Sequence, residues 1–131
     1  MRFFKRAAAV LPVAIALTLG VAPGTQASSD CTDYSDNSGA KAVFEAYGEH
    51  LYVTDEYQDG HSAIGRLELS YGEDYYYWNT NGAGTTKHFD LSFAEDRVYH
   101  LGAYLGNWDG TVTGGIDFNS NNVIPYCNGT A

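Results

Sequence analysis

The sequence predicts an all-β fold, a small antiparallel β-sandwich or barrel of about seven to eight strands with one disulfide. Three observations lead to this prediction. Short runs rich in β-branched and aromatic residues recur at roughly 8–12-residue spacing, which is typical of antiparallel sandwiches and barrels. Turn residues, often Gly or Asp-Gly, separate these runs, and no long stretch has the period of a helix. The only two cysteines, Cys31 and Cys127, lie near the two ends of the part that follows residue 27.

The predicted strands follow one another from residue 41 to residue 127. In the third of them, Ala63, Leu67 and Leu69 share one face while Arg66 lies on the other, an alternation that indicates a half-buried strand. Pro125 is compatible only with a strand end or an edge. The predicted ranges are 41–47, 50–55, 62–70, 74–80, 87–93, 97–105, 111–118 and 121–127.

The first 27 residues have the features of a secretory signal peptide. Arg2, Lys5 and Arg6 are followed by an uncharged apolar run over 7–22, which is shorter than the roughly 20 residues that span a bilayer. Thr25-Gln26-Ala27 offers small residues at the two positions that a signal peptidase reads. We therefore expect a signal peptide over 1–27, a polar irregular lead-in over 28–40, and a single β domain over 41–131. A secreted, extracellular location follows from this, with no membrane association after cleavage.

The exported part is strongly acidic. Removal of residues 1–27 leaves four Lys and Arg side chains against 16 Asp and Glu, a net charge of −12 on residues 28–131. Nucleic acids require clusters of cationic side chains, so this composition excludes a nucleic-acid partner. It also argues against electrostatic binding to anionic lipid. A soluble extracellular surface, a cationic partner and cation binding remain compatible with it.

The two cysteines predict one disulfide. Export places thiols in an oxidising environment, and an even cysteine count in a small secreted domain indicates pairing. A bond between Cys31 and Cys127 would enclose nearly the whole domain, and chain entropy gives such a loop about 4–5 kcal/mol in a model that is disputed. Two free thiols or a metal-binding pair are the alternatives, although two cysteines without a further ligand make a poor zinc site.

Two segments carry a resemblance to a known group of proteins. They are FEAYGEHLYVTDEYQDGHSAIGRLEL and YYYWNTNGAGTTKHFDLSFAEDR, which together fall within 43–104. Their spaced G-E, V-x-D, D-G-H-S-A and W-N-x-x-G-A-G-T pattern resembles a group of small secreted proteins from actinomycetes. The resemblance implies an exported small β domain, and no catalytic residue is carried over from it.

The acidic turn over 55–60 is a candidate calcium site. Calcium takes six to eight oxygen ligands, and Asp55 and Asp59 can supply some of them. The turn departs from an EF-hand loop, because Tyr57 replaces an oxygen ligand and Arg66 occupies the position of the bidentate Glu. An ordinary Asp-Gly hairpin is the simpler interpretation, and no other cofactor is predicted.

No catalytic site emerges from the sequence. The histidines at 50, 61, 88 and 100 lack the spacing of a zinc motif. Asp59, His61 and Ser62 superficially resemble a hydrolytic trio, but no G-x-S-x-G elbow is present, and hydrogen-bonded turn residues explain them better. A small hydrolase without an identifiable site therefore stays an alternative.

Aromatic residues give the main functional indication. Residues 75–78 are consecutive aromatics on one predicted strand, so both of its faces carry rings. We expect Tyr76 and Trp78 to face the core, which leaves Tyr75, Tyr77 and the turn residue Trp108 as candidate ligand-binding residues. Exposed rings near Asn and Asp suit stacking on sugars or docking of a protein. The sequence thus favours a secreted, non-enzymatic domain that binds a glycan, an extracellular surface or a protein partner, with inhibition of a secreted enzyme as an alternative.

Overall fold

A computed structural model describes residues 30–70, 72–94, 97–121 and 127–130. The predicted signal peptide lies outside these residues, as do residues 122–126 of the last predicted strand. The described chain contains nine strands and one short 3-10 helix, and none of its helices is long and apolar enough to cross a membrane. The all-β class is confirmed, whereas the expected seven to eight strands fall short of the nine observed. The elements are β1 Cys31–Tyr34, a 3-10 helix Asp36–Ser38, β2 Ala40–Glu45, β3 His50–Asp55, β4 Ser62–Leu69, β5 Glu73–Asn79, β6 Thr86–Asp90, β7 Val98–Gly106, β8 Ile116–Asp117 and β9 Cys127–Thr130.

The strands form two antiparallel sheets, an arrangement like that of a β-sandwich. The first sheet has the order β1-β2-β3-β6, and the second has the order β5-β4-β7-β8, with β9 also paired to β7. Four pairs of consecutive strands are direct neighbours (β1–β2, β2–β3, β4–β5 and β7–β8), and β6 crosses from the second sheet back to the first. This crossing places β5 and β6, which are consecutive in the sequence, in different sheets.

The main hydrophobic core lies between the two sheets. Alternate side chains of each strand point inward, as the period of two requires. Phe44 of the first sheet meets Tyr99 of the second edge to face, with ring centroids 4.6 Å apart. Burial of each large apolar side chain of this kind stabilises the fold by about 1.5–3 kcal/mol. Other buried members of the core are Ala42, Leu51, Val53, Ala63, Leu67, Leu69, Leu101 and Ala103.

A second, smaller cluster covers the outer face of the second sheet. It contains Ile64, Trp78 and Tyr104, with Tyr76 and Ile116 packed against it. Trp78 is buried as expected, with 6% of its surface exposed, but it faces away from the main core. The prediction that Tyr76 and Trp78 point into the core between the sheets is therefore wrong. The segment that follows β7 folds over this outer face, so β5 is covered on both sides.

The expectation of an irregular lead-in over 28–40 is corrected by strand β1. Cys31 and Asp33 are buried while Thr32 and Tyr34 are exposed, and the strand pairs with β2 throughout. Because the buried face of this strand carries a charged residue, Asp33, the composition of the segment does not indicate a strand. The Asp33 carboxylate accepts hydrogen bonds from the Ala103 backbone N–H (2.9 Å) and from the Asn121 side-chain amide (2.9 Å), which satisfy its charge inside the fold.

The two cysteines lie on strands that contact each other. Cys31 is in β1, Cys127 begins β9, and these strands are neighbours across the two sheets. Cys31 is buried, and the described chain contains no free cysteine. The placement of the backbones is compatible with the predicted Cys31–Cys127 bond, which itself stays a prediction.

Candidate functional site

Three chain connections meet at one end of the sandwich. The register pairs Thr54 with Thr86 where β3 ends and β6 begins, and pairs Ser62 with Gly106 where β4 begins and β7 ends. The segments 56–61, 80–85 and 107–115 therefore leave the sheets at the same end. Between the first two of them lies a cavity of about 470 Å³, which we call the end cavity. Its lining residues are Asp55, Tyr57, Gln58, Asp59, Gly60, His61, Ser62, Thr80, Gly82 and Ala83.

Asn79 holds in place the 80–85 loop, which lines one side of the end cavity. This fully buried residue closes β5, and its side-chain amide donates to the backbone carbonyls of Val53 (3.0 Å) and Thr85 (2.9 Å). The backbone of Asp55 adds two more bonds, because its N–H donates to the Thr85 carbonyl (3.0 Å) and its carbonyl accepts from Gly84 (2.7 Å). One buried amide and one strand end thus hold the 80–85 loop in place.

Asp55 and Asp59 lie together in the end cavity. Only 3% of Asp55 is exposed, and its Oδ1 atom has no hydrogen-bond partner in the described part of the chain. Burial raises the pKa of Asp55, the charge of Asp59 raises it further, and a hydrogen bond from the Tyr57 backbone opposes both effects. Asp59 is exposed, and its Oδ2 atom would lie 2.9 Å from a Cβ placed on Gly39. The two predicted calcium ligands therefore share one site.

The described residues offer no third charged ligand for the predicted calcium site. Among the residues described, no group of three or more His, Cys, Asp or Glu side chains is arranged to hold a metal ion. Asp55 and Asp59 could supply two ligands, and the rest of a calcium shell would have to come from carbonyl groups or water. Calcium binding at these two residues stays a prediction.

His61 connects the end cavity to the third segment. The His61 Nδ1 atom lies 3.2 Å from Oδ1 of Asn107, the residue that follows β7. The backbone N–H of His61 donates to Asp59 Oδ1 (2.9 Å), as in an Asx turn. These contacts are typical of turn residues, and the carboxylate of Asp59 accepts its hydrogen bond from the backbone of His61.

An aromatic surface occupies the outer face of the second sheet beside this end. We use the name aromatic surface for Trp108, Val112 and Phe118, all three of which are exposed. The buried Trp78 anchors it: its ring lies 5.2 Å from that of Trp108 in a T-shaped contact, and its Nε1–H donates to the Val112 carbonyl (2.9 Å). Phe118 packs edge-on against Tyr104 at 6.0 Å.

Internal hydrogen bonds close the 107–115 loop. The Asn107 N–H donates to the Gly115 carbonyl (2.8 Å), and Asp109 Oδ1 accepts from the Thr111 N–H (3.0 Å) and hydroxyl (2.8 Å). The Thr111 bonds lower the pKa of Asp109, which keeps this carboxylate ionised. Gly115 has φ 72°, and a Cβ there would meet the Asn107 carbonyl oxygen. The loop therefore presents Trp108 on a fixed backbone.

The structure separates the predicted tyrosines from Trp108. Tyr77 points toward the main core and packs against Phe89 at 5.0 Å, and burial together with Tyr75 raises its pKa to about 12. Tyr75 is partly exposed on the same side of β5, 5.6 Å from Phe93. Trp108 lies over the opposite face, so these three residues do not form one site.

Sequence reasoning missed Val112 and Phe118 as surface residues. The prediction of a strand over 111–118 is wrong for most of its length, because only Ile116–Asp117 pair with β7. A signal for the loop is present in the sequence, since the glycines at 110, 114 and 115 weaken a strand. Sequence reasoning also missed the role of Asn79, which ends an otherwise aromatic run and whose buried amide holds the 80–85 loop.

Comparisons of this chain with protein-family models, with curated proteins and with solved structures gave no match.

Proposed function

We propose that this protein is a secreted, non-enzymatic β domain that binds an extracellular polysaccharide through its aromatic surface. The observation that carries the proposal is Trp108, which is 48% exposed although its ring is braced by the buried Trp78. A large apolar ring normally leaves water when it can, so a fixed and exposed tryptophan favours a binding role.

The chemistry around Trp108 suits a sugar. A pyranose ring presents axial C–H groups to an aromatic face and hydroxyl groups around its rim. Asn107 and Asp109 flank Trp108 in the chain and offer amide and ionised carboxylate groups for those hydroxyls. Because the loop is closed by its own hydrogen bonds, little conformational entropy is lost when a ligand binds.

Export and the disulfide belong to the same proposal. Residues 1–27 direct the chain out of the cytoplasm and are removed, and Cys31 then pairs with Cys127 in the oxidising exterior. The adjacent positions of β1 and β9 support that pairing. Mass measurement of the secreted protein should show a chain that starts at Ser28 or within a few residues of it.

The test compares the purified protein with two variants in a pull-down on a panel of insoluble polysaccharides. The wild type should be retained by at least one polymer, and Trp108→Ala should lose about tenfold or more in affinity, since a stacked aromatic ring contributes on the order of 1–3 kcal/mol. Tyr47→Ala is the matched control, because Tyr47 is 90% exposed and lies in the β2–β3 turn at the other end of the sandwich.

Retention of both variants to the same extent, or retention of no protein by any polymer, would contradict the proposal. Inhibition of a secreted enzyme by the wild type but not by Trp108→Ala would instead assign the aromatic surface to a protein partner.

A further inference from the structure

The outer face of the first sheet brings together two histidines that are distant in the sequence. In the register of β3 with β6, His50 lies opposite Asp90, and Tyr52 lies opposite His88. His50 and His88 are therefore diagonal neighbours on one face, a separation that long and aromatic side chains can span. The Nδ1 atom of His50 lies 2.8 Å from the Nε2 atom of His88. We call these two residues the histidine pair.

Neighbouring groups hold both rings of the histidine pair. The Tyr52 ring stacks on the His88 ring, with centroids 4.7 Å apart and an angle of 15° between the planes. The His50 ring packs on the β2–β3 turn, where a Cβ on Gly48 would lie 2.8 Å from its Nε2 atom. Gly48 has φ 80°, a conformation that favours glycine, and it leaves room for this ring. Because the rings are placed in advance, a ligand that binds between them loses less free energy to side-chain ordering.

The distances within the histidine pair are close to those of two ligands on one metal ion. Imidazole nitrogens that bind a metal at about 2.0–2.1 Å lie roughly 2.9–3.3 Å apart for bond angles between about 90° and 109°, and their ring centroids lie roughly 4.5–5.2 Å apart. The two nitrogens are 2.8 Å apart, and the centroids are 4.9 Å apart. A hydrogen bond between the rings accounts for the same separation. A metal ion can replace the shared hydrogen after a small rotation of the rings.

The charges beside the histidine pair favour a cation. The Oδ1 atom of Asp90, whose side chain is 76% exposed, lies 3.7 Å from the Nδ1 atom of His50. On the other side of His50, the exposed Glu45 is its cross-strand neighbour in β2. A metal ion at the pair would therefore lie between two negatively charged side chains, which attract it. The His50 side chain is 33% exposed and His88 is exposed, so an ion can reach the pair from solvent.

The donor atoms decide which metal ions fit. Imidazole nitrogens bind Cu²⁺, Ni²⁺ and Zn²⁺, whereas Mg²⁺ and Ca²⁺ take oxygen ligands. Among the divalent ions of the first transition row, Cu²⁺ binds a given set of nitrogen and oxygen ligands most tightly. The pair does not belong to a group of three His, Cys, Asp or Glu ligands in the described chain, so two protein ligands are assigned and water completes the coordination.

We propose that the histidine pair binds a divalent transition metal ion, with Cu²⁺ preferred over Zn²⁺. His50 Nδ1 and His88 Nε2 are the two protein ligands, and Asp90 accepts a hydrogen bond from a water molecule on the ion. This site lies on the outer face of the first sheet, whereas the aromatic surface lies on the outer face of the second. The metal site is therefore separate from the proposed glycan-binding function, and the failure of either leaves the other standing.

The test is calorimetry of the purified, tag-free protein with CuCl₂ and with ZnCl₂, in excess Mg²⁺ and at about pH 7.5, because imidazole binds metal ions in its neutral form. The wild type should bind Cu²⁺ in a one-to-one ratio and Zn²⁺ more weakly. His50→Ala and His88→Ala should each weaken Cu²⁺ binding by about tenfold or more, since the loss of even an outer partner of a metal ligand costs about 10–100-fold. His100→Ala, which removes an exposed histidine of β7, is the matched control and should bind Cu²⁺ as the wild type does.

NMR of the wild type tests the same site even if a variant fails to fold. Cu²⁺ is paramagnetic and broadens the signals of nearby nuclei, so less than one equivalent should broaden the ring signals of His50 and His88 before those of His61 and His100. Broadening that begins at His61 or His100 would overturn the proposal. Equal Cu²⁺ affinity of the wild type and of either pair variant would overturn it as well. Absence of Cu²⁺ binding would leave the pair as a hydrogen bond alone, and Cu²⁺ binding that is lost in Asp59→Asn would move the metal to the end cavity; both results would overturn the proposal.

Discussion

At the scale of single residues, Asp55 shows how a buried carboxylate can oppose stability. Its buried carboxylate has an unpartnered oxygen within the described structure, and its folded-state pKa is raised above the ordinary value of 3.8 by burial and by Asp59. A carboxyl group with a raised folded-state pKa binds its proton more tightly in the folded protein than in the unfolded chain. Folding therefore loses stability as the pH rises from about 3.8 through the folded-state pKa.

We expect Asp55→Asn to reveal this cost in urea denaturation at a series of pH values. The difference in unfolding free energy between the variant and the wild type should shift in favour of the variant as the pH rises through that window, and should be constant above it. The reason is that Asn has no charge to desolvate. A difference that does not change with pH would contradict the assignment.

Asp109→Asn provides a control of opposite sign. The Thr111 hydrogen bonds lower the folded-state pKa of Asp109, so this carboxylate stabilises the fold above its ordinary pKa and ceases to do so as the pH falls through the lowered value. The relative stability of Asp109→Asn should therefore fall as the pH rises, which is the reverse of the Asp55→Asn result.

At the scale of elements, β5 contributes side chains to both hydrophobic clusters. Tyr77 packs against the core between the sheets, and Trp78 packs on the outer face beneath the 107–115 loop. The sequence predicted an aromatic strand here, but it could not predict which face meets the core. That choice depends on the pairing with β4, where Tyr77 lies opposite Gly65 and Trp78 opposite Ile64. When a strand carries rings on both faces, its sequence pattern does not determine its register.

Trp78→Ala should destabilise the fold by about 3–5 kcal/mol, the usual cost of emptying a buried aromatic site. Trp78→Phe should keep much of the packing while it removes the Nε1 donor to the Val112 carbonyl, at an additional cost of about 0.5–1.5 kcal/mol for the hydrogen bond. Denaturant unfolding of the two variants and the wild type measures both losses of stability. Tyr75→Ala, at a partly exposed position on the same strand, is the control, and an equal loss in that variant would contradict the outer cluster as a core.

The elements with clear alternation were predictable, and those with unusual composition were not. Strands β3, β4 and β7 match the predicted ranges to within about a residue or two, because apolar side chains alternate and turn residues bound them. Strand β1 was missed because the buried Asp33 depends on donors from residues 103 and 121, which are distant in the sequence. The 107–115 loop was read partly as a strand because Thr and Val outweighed its glycines.

At the scale of the whole molecule, the topology assembles the site. Residues 56–61, 80–85 and 107–115 meet because the paired ends of β3 with β6 and of β4 with β7 lie at one end of the sandwich. Asp55 and Asp59 could be identified as a pair from their sequence spacing. Their proximity to the 80–85 loop and the contact between His61 and Asn107 depend on the order of strands in the sheets, which local patterns do not encode.

The proposed disulfide also acts at this scale. Reduction of a bond between Cys31 and Cys127 should lower the melting temperature, because it releases a loop that restrains nearly the whole domain, by about 4–5 kcal/mol at most in the chain-entropy model. Peptide mapping without reductant should yield one peptide pair that contains both cysteines. Two thiols that alkylate freely in the native secreted protein would refute the bond.

Tryptophan emission during a glycan titration tests the central claim most directly, because the chain has only two tryptophans and only Trp108 is exposed among them. With a soluble fragment of whichever polymer retains the protein, the wild-type emission should shift to shorter wavelength as the ligand removes water from Trp108. The shift should persist in Tyr47→Phe and disappear in Trp108→Phe, whose affinity should also fall. Unchanged wild-type emission while calorimetry records binding, or full affinity in Trp108→Phe, would contradict the aromatic surface as the binding site.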